Sequence, residues 1–372
     1  MKRRASAVQM MSRPAARIAA YALALAMSPG AQALSQSCGP LKEVASLKMT
    51  VLADGARVSV PLAINGKPVN LLVDTGAGVS SLTRPAATML DVRSRDNEAM
   101  HMVGKDGVAV HRYYVADSFQ LGPLTANNIP FMQSADGDEA GVSGTIGPGL
   151  MVRYDVEMDF SEQRLTYFSQ DHCPGRIVHW PSDAVTQVPI SITERARDYP
   201  PPLAKAAILD FPSDYVDRAM ASRPPFLGTD IRTKVMLDGH LFTANIDTGL
   251  DISTINSHAA QEYFDVPLDD RPPEAPKPRP EQPAQASSAT ESVTVTARRD
   301  QHRFHTLTFG GVTVVSPLFV LKPSGVHRVG AADSPDITIG MNVLRRLHLY
   351  FAFGERMLYV SAAASAVKTE EK

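Results

Sequence analysis

The chain has 372 residues and a mass of 40.1 kDa, more than one ordinary hydrophobic core accommodates, which predicts two domains of about 150 residues. Apolar residues make up 44% and charged residues 20%, a balance typical of globular proteins that excludes a wholly disordered chain and a polytopic membrane protein. With 37 basic and 39 acidic side chains the formal net charge is −2, which argues against nucleic acid as a partner.

The first predicted element is an export signal over residues 1–33. Basic residues at the start precede an apolar run over residues 18–27 and a small-x-small cleavage pattern that ends at Ala33. The alternative is an uncleaved anchor, but this run is about half of the ~20 residues that span a bilayer. The sequence therefore predicts an exported protein, periplasmic or secreted, with no membrane span after cleavage.

The chain then repeats itself, which indicates a duplicated architecture. In each copy an Asn-Gly or Asp-Gly turn, the strongest short hairpin signal, leads into an apolar strand. These strands end in Asp74-Thr75-Gly76 and Asp247-Thr248-Gly249, and a helix-like stretch with paired alanines follows each. A second matched block further along begins with the pairs Ile146-Gly147 and Ile339-Gly340.

The matched blocks set the predicted domain boundaries. We expect a first domain over residues 34–170, a proline-rich linker over 171–228, a second domain over 229–362 and a polar tail over 363–372. The second copy is longer because of a proline-rich insertion over 271–292, which we interpret as a disordered or polyproline surface loop. Most of the proline excess of the chain lies in the linker and this insertion.

Each copy also has a hairpin candidate between its two motifs, rich in β-branched and aromatic residues. The turn of the first candidate comprises Gly104, Lys105, Asp106 and Gly107, and the turn of the second comprises Arg298, Arg299 and Asp300.

The cysteine content is too low for a disulfide-built scaffold, since Cys38 and Cys173 are the two cysteines of the chain. In an oxidising exported compartment they form one disulfide that ties the mature N-terminus to the end of the first copy; the alternative is two inert thiols.

Both copies resemble the aspartic peptidases of the retropepsin and pepsin type, whose signature is an apolar strand running into Asp-Thr-Gly and, later, an apolar pair followed by Gly. Leu72 to Ala77 is similar to the retropepsin form, whereas Leu250 stands where that form has Ala, Ser or Thr. The resemblance covers roughly residues 45–168 and 229–361. It implies an all-β fold class, with two tandem retropepsin-like β-barrel halves forming one bilobal, pseudo-two-fold chain.

The resemblance implies an aspartic endopeptidase that hydrolyses an extended peptide or protein substrate with a water held between Asp74 and Asp247. Two carboxylates held close repel each other when both are ionised, so one stays protonated while the other accepts a proton. Such a pair suits general acid–base catalysis. No metal and no cofactor beyond the catalytic water is implied, and a chain that carries its own pair is expected to work as a monomer.

The resemblance also assigns roles around the pair. Thr75 and Thr248 would lock the two loops together, and the two hairpin turns would act as flaps that exclude water. Gly76 and Gly249 would let the backbone pass where a Cβ would collide.

Competing chemistries lack the required patterns. His302 and His305 are three positions apart, which on a strand puts them on opposite faces and disfavours a zinc site. Two hypotheses remain: an active endopeptidase, and a catalytically inactive peptide-binding protein with the same fold. Leu250 and the asymmetric second copy favour the inactive protein, whereas the two intact triplets favour the enzyme.

Overall fold

The computed structural model describes residues 38–96, 102–103, 109–134, 141–180, 184–192, 230–267, 300–322 and 335–364. The predicted signal peptide, the turn residues Gly104 to Gly107, Arg298 and Arg299, the proline-rich insertion, most of the linker and most of the tail lie outside these residues. The chain from residue 38 onward forms one compact unit. Within the described ranges, no helix is long and apolar enough to cross a membrane.

The first half consists mainly of short strands. In chain order they are β1 (Glu43–Lys48), β2 (Thr50–Val51), β3 (Val58–Ile64), β4 (Lys67–Val73), β5 (Ser81–Leu82), β6 (Arg93–Asp96), β7 (Met102–Val103), β8 (Ala109–Val110), β9 (Arg112–Leu121), β10 (Leu124–Gln133), β11 (Gly144–Ile146), β12 (Asp155–Asp159) and β13 (Arg164–Phe168). Its helical elements are α1 (Arg84–Met89) and a 3₁₀ turn (Pro148–Leu150).

The second half follows the same plan. Its strands are β14 (Thr186–Ile192), β15 (Ile231–Leu237), β16 (His240–Ile246), β17 (Thr254–Asn256), β18 (Gln301–Arg303), β19 (Thr306–Phe309), β20 (Val312–Val315), β21 (Leu318–Lys322), β22 (Ile337–Ile339), β23 (Leu347–Ala352) and β24 (Met357–Ala362). Its helices are α2 (Ser257–Phe264) and α3 (Met341–Leu344).

Each half has a hairpin at the predicted dipeptide turn. β3 and β4 are joined by Asn65-Gly66, and β15 and β16 by Asp238-Gly239; all four residues have positive φ, between 44° and 86°. Gly adopts this conformation freely, and Asn and Asp tolerate it better than other residues do. Both hairpin predictions are confirmed.

In the first half the strands close into a barrel in the order β3-β4-β11-β5-β10-β9, because β9 pairs back with β3. In the second half β15, β16, β22, β17 and β21 follow one another in the same order, β18 pairs with β21, and β19 pairs with β15. The predominantly β architecture agrees with the predicted fold class.

A further sheet joins the two halves. Its central pair is β12 of the first half and β23 of the second half, which run antiparallel and are buried along their whole lengths. β13 and β1 extend the sheet on one side, and β24 and β14 extend it on the other. We call these six strands the inter-half sheet.

Strand β14 lies within the segment that the sequence assigns to the linker. Val188 and Ile190 are buried, with exposed Pro189 between them. The strand pairs first with β24 and then with β15, so it connects the inter-half sheet to the barrel of the second half. The high proline content around it obscures this short alternating pattern.

Cys38 and Cys173 form a disulfide that links chain positions 135 residues apart. Hydrogen bonds beside it, from Gly39 N–H to the Asp171 carbonyl and from Cys173 N–H to the Gly39 carbonyl, keep the two segments together. Replacing both cysteines by alanine is expected to lower the free energy of unfolding by about 2–5 kcal/mol, because the unfolded chain loses its cross-link. Urea unfolding measures this change, and reduced wild-type protein should match the variant. Equal stability of the variant and the oxidised protein would contradict the expectation.

Candidate active site

The two Asp-Thr-Gly loops begin where equivalent strands end. Asp74 follows β4, and its backbone N–H donates to the Ile146 carbonyl at 3.0 Å. Asp247 follows β16, and its N–H donates to the Ile339 carbonyl, also at 3.0 Å. β4 runs parallel to β11, and β16 runs parallel to β22. The predicted second motif element therefore supports the Asp loop in both halves.

Hydrogen bonds from two threonines connect the loops across the halves. The Thr75 hydroxyl donates to the Ile246 carbonyl at 2.8 Å, and the Thr248 hydroxyl donates to the Val73 carbonyl at 2.7 Å. Each hydroxyl also accepts from the backbone N–H of the opposite threonine at 3.0 Å. Both side chains are fully buried. Each loop is thus completed by the other half of the chain.

The glycine after each threonine faces the carboxylate of the opposite half. A Cβ built on Gly76 would overlap the Asp247 carboxylate, and a Cβ on Gly249 would overlap the Asp74 carboxylate. A glycine at each position is therefore required by space, and the crossed arrangement brings the two carboxylates face to face.

The first carboxylate of the pair accepts two backbone hydrogen bonds, from Gly76 N–H at 3.0 Å and from Ala77 N–H at 2.8 Å. Burial raises the pKa of Asp74, and the negative charge of Asp247 raises it further, to about 7, against the effect of these hydrogen bonds. The pair therefore holds one proton up to the neutral range.

Burial also raises the pKa of the second carboxyl, Asp247, against the lowering effects of the Gly249 N–H, the hydrogen bond with Asp74 and the positive charge of Lys322. The environments of the two carboxyls differ, because Lys322 belongs to the second half.

A matched serine fixes each second motif element to its loop. Ser80 accepts from Gly147 N–H, and Ser253 accepts from Gly340 N–H, both at 3.0 Å. Both serines stand six positions after their Asp, a spacing already visible when the two copies are aligned.

The second half carries an additional contact that sequence reasoning missed. The Asn342 side chain accepts from both the N–H and the hydroxyl of Ser253 at 2.8 Å, and it donates to the Leu318 carbonyl at 2.8 Å. The equivalent position of the first half is Gly149, two residues after Gly147. Comparing the residues after each Ile-Gly pair would have revealed this asymmetry.

The flap candidates are partly described. β7 and β8 form the two-stranded hairpin on either side of the first predicted turn. In the second half, Asp300 is exposed next to β18, and its carbonyl accepts from Leu321 N–H at 2.7 Å. A role for either turn in covering a substrate stays a prediction.

Leu250, the departure from the usual motif, is accommodated by the second loop. Its backbone carbonyl accepts from Met341 N–H at 2.7 Å, and its N–H donates weakly to the Asp247 carbonyl at 3.4 Å. The residue therefore fits the loop without separating Asp247 from the pair.

Comparison with known proteins gives one family profile and several similar solved structures. The profile of the family described as "Aspartyl protease" matches residues 60–147. No curated protein matches the chain. The crystal structure of Basic 7S globulin from soybean is 10% identical, with 90% of this chain and 98% of that chain covered and a TM-score of 0.44.

Two other solved structures are similar to parts or most of the chain. The aspartic proteinase from Irpex lacteus is 12% identical, with 88% of this chain and 99% of that chain covered and a TM-score of 0.43. A retropepsin-like aspartic protease from Rickettsia conorii is 19% identical, with 35% of this chain and 91% of that chain covered and a TM-score of 0.25. The profile match includes the Asp74 loop and the Ile146-Gly147 pair.

Proposed function

We propose that the chain is an aspartic endopeptidase whose two catalytic residues, Asp74 and Asp247, come from the two halves. The observation that carries the proposal is the crossed packing of Gly76 and Gly249 against the opposite carboxylates. It supports a pair close enough to share one proton, and the raised pKa of Asp74 has the same cause. A protein that only bound peptides would have no need of two matched carboxylates.

In the proposed reaction a water lies between the two carboxyl groups. The ionised carboxylate takes a proton from this water while its oxygen attacks the carbonyl carbon of the peptide, and the protonated carboxyl gives its proton to the carbonyl oxygen. A proton then passes to the amide nitrogen, the C–N bond breaks, and the pair returns to its one-proton state. The hydrogen bonds of Thr75 and Thr248 keep both loops in position during these transfers.

The pH dependence of hydrolysis tests the proposal. The one-proton pair is lost when the pH rises through the pKa of Asp74, about 7, because both carboxyls are then ionised. We expect kcat for an unfolded protein substrate such as reduced casein to fall above about pH 7, and to fall again in acid where both carboxyls are protonated.

Circular dichroism at each pH is the control, since it separates loss of activity from loss of folding. Absence of cleavage by folded protein at every pH from 3 to 8 would overturn the proposal and leave the inactive peptide-binding alternative.

We further propose that the substrate is an extended peptide or protein, that the chain acts as a monomer, and that it is exported. The site has one Asp from each half of a single chain, so a second copy is not required. The disulfide of Cys38 and Cys173 supports an oxidising compartment.

A further inference from the structure

The segment after each Ile-Gly pair differs between the two halves. In the second half it begins α3, where Met341 and Asn342 follow Gly340. In the first half the same two positions hold Pro148 and Gly149. Proline has no backbone N–H and glycine has no side chain. The N–H of Met341 and the side chain of Asn342 therefore have no counterpart in the first half.

Two backbone hydrogen bonds attach this segment to the second Asp loop. Met341 N–H donates to the Leu250 carbonyl at 2.7 Å, and Asn342 N–H donates to the Asp251 carbonyl at 2.9 Å. Leu250 and Asp251 are the third and fourth residues after Asp247. The start of α3 therefore holds the part of the loop that comes shortly after the carboxylate.

The Asn342 side chain holds the same loop a second time. Its Oδ1 accepts from both the N–H and the hydroxyl of Ser253, and its Nδ2 donates to the Leu318 carbonyl, all at 2.8 Å. Ser253 is 0% exposed, so its N–H and hydroxyl depend on the protein for their partners. A hydroxyl hydrogen directed at Asn342 leaves the oxygen lone pairs of Ser253 to accept from Gly340 N–H at 3.0 Å.

These contacts lead to the backbone of Asp247. Gly340 follows Ile339, whose carbonyl accepts from Asp247 N–H at 3.0 Å. A Cβ built on Gly340 would lie 2.8 Å from the Leu250 carbonyl oxygen, which shows how closely the two segments pack. A displacement of Ser253 or Gly340 therefore also displaces the backbone that carries the carboxyl group.

We propose that Asn342 is a positioning residue that holds Asp247 close to Asp74. It acts through Ser253 and through the backbone of residues 250–251. A side-chain amide does not exchange a proton with a substrate at the pH of the reaction, so its contribution is to geometry alone. Its effect on the rate of hydrolysis rests on the proposed function, whereas its effect on the position of Asp247 does not.

Asn342→Ala tests the proposal, because it removes the side-chain contacts and keeps both backbone hydrogen bonds. The buried N–H and hydroxyl of Ser253 lose their acceptor, so the loop moves to find other partners. We expect kcat for reduced casein at pH 5 to fall by at least about 30-fold and KM to change by less than about threefold. A small displacement of a reacting group slows the chemical step and leaves most substrate contacts in place. An unchanged kcat in an active enzyme would overturn the proposal.

Asn256→Ala is the matched control for lost stability. Asn256 caps α2 by accepting from His258 N–H at 2.9 Å, and removing the cap is expected to lower the Tm by about 2–4 °C. Its kcat should stay within about twofold of the wild type. If kcat of N256A falls as far as kcat of N342A, lost stability explains both results and the proposal is overturned.

The pKa of Asp74 gives a measurement that does not need activity. NMR of the full chain with ¹³C-labelled aspartate carboxyls follows its titration, and in the wild type the charge of Asp247 helps to raise this pKa to about 7. In N342A we expect the pKa of Asp74 to be lower by at least about half a pH unit, because Asp247 lies further away. The same pKa in N342A as in N256A would overturn the proposal. A wild-type protein that cleaves nothing would overturn the proposed function, and the titration would still decide the role of Asn342.

The serines of the two halves provide the comparison if N342A does not fold. Ser253→Ala removes the hydroxyl that Asn342 accepts from, whereas Ser80→Ala removes the matched hydroxyl of the half that has Gly149 instead. We expect kcat to fall at least about fivefold further in S253A than in S80A. Equal losses in the two variants would overturn the proposal.

Discussion

Asp74→Asn and Asp247→Asn are each expected to lower kcat for peptide hydrolysis by at least about 10³-fold while the protein stays folded. Asparagine has the same shape as aspartate, but it can neither accept a proton from water nor give one to the peptide carbonyl. Since both carboxyls act as one unit, the double variant should be no less active than either single variant. The measurement is steady-state hydrolysis of reduced casein alongside thermal unfolding.

A matched control for these variants is Asp265→Asn, an exposed position at the end of α2 in a left-handed conformation that asparagine also tolerates. It should keep wild-type activity. Residual activity above about one tenth in either D74N or D247N would place the chemistry elsewhere in the chain.

Gly76→Ala is expected to lower kcat/KM by about 100-fold or more, because the added Cβ overlaps the Asp247 carboxylate and must displace it. The displacement increases the distance between the carboxyls, so the charge of Asp247 raises the pKa of Asp74 less. The alkaline fall of the residual activity should therefore move to lower pH. A pH profile of the variant measures both effects.

The control for this variant is Gly311→Ala, whose Cβ would meet Thr186 at an ordinary contact distance of 3.8 Å. G311A should behave as wild type. A G76A protein with normal kcat/KM would show that the two loops can move apart without loss of activity. That result would contradict a requirement for close packing of the two carboxyls.

Local sequence signals predicted the parts of the site that lie within a few residues of one another. The Asn65-Gly66 and Asp238-Gly239 turns determine their hairpins because their backbone conformation suits few other residues. The Asp loops and the Ile-Gly pairs could be recognised because each occurs twice at matched spacing. The crossed threonine contacts were expected from family resemblance, and their partners Val73 and Ile246 follow only from the three-dimensional arrangement.

The contacts across the inter-half sheet could not be predicted, because their members are distant in the chain. Glu157 and His348 are brought together by the pairing of β12 with β23, and nothing near either residue indicates the other. An acidic residue at every second position of β12 predicts a strand face exposed to solvent. In the structure that face is buried, and Trp180 stacks on His348 of the neighbouring strand β23. Burial of a polar face depends on what packs over it, which local pattern does not encode.

A ribosome completes the first half of this chain before it starts the second, and a domain can begin to fold as soon as it emerges. At that moment the hydroxyl of Thr75 has no Ile246 carbonyl to donate to, and the Val73 carbonyl has no donor in Thr248. The newly made first half therefore holds a single unpaired Asp74 in an unfinished loop. Under the proposed function, hydrolysis begins only after synthesis of the second loop, so the growing polypeptide cannot digest itself or its neighbours during translation.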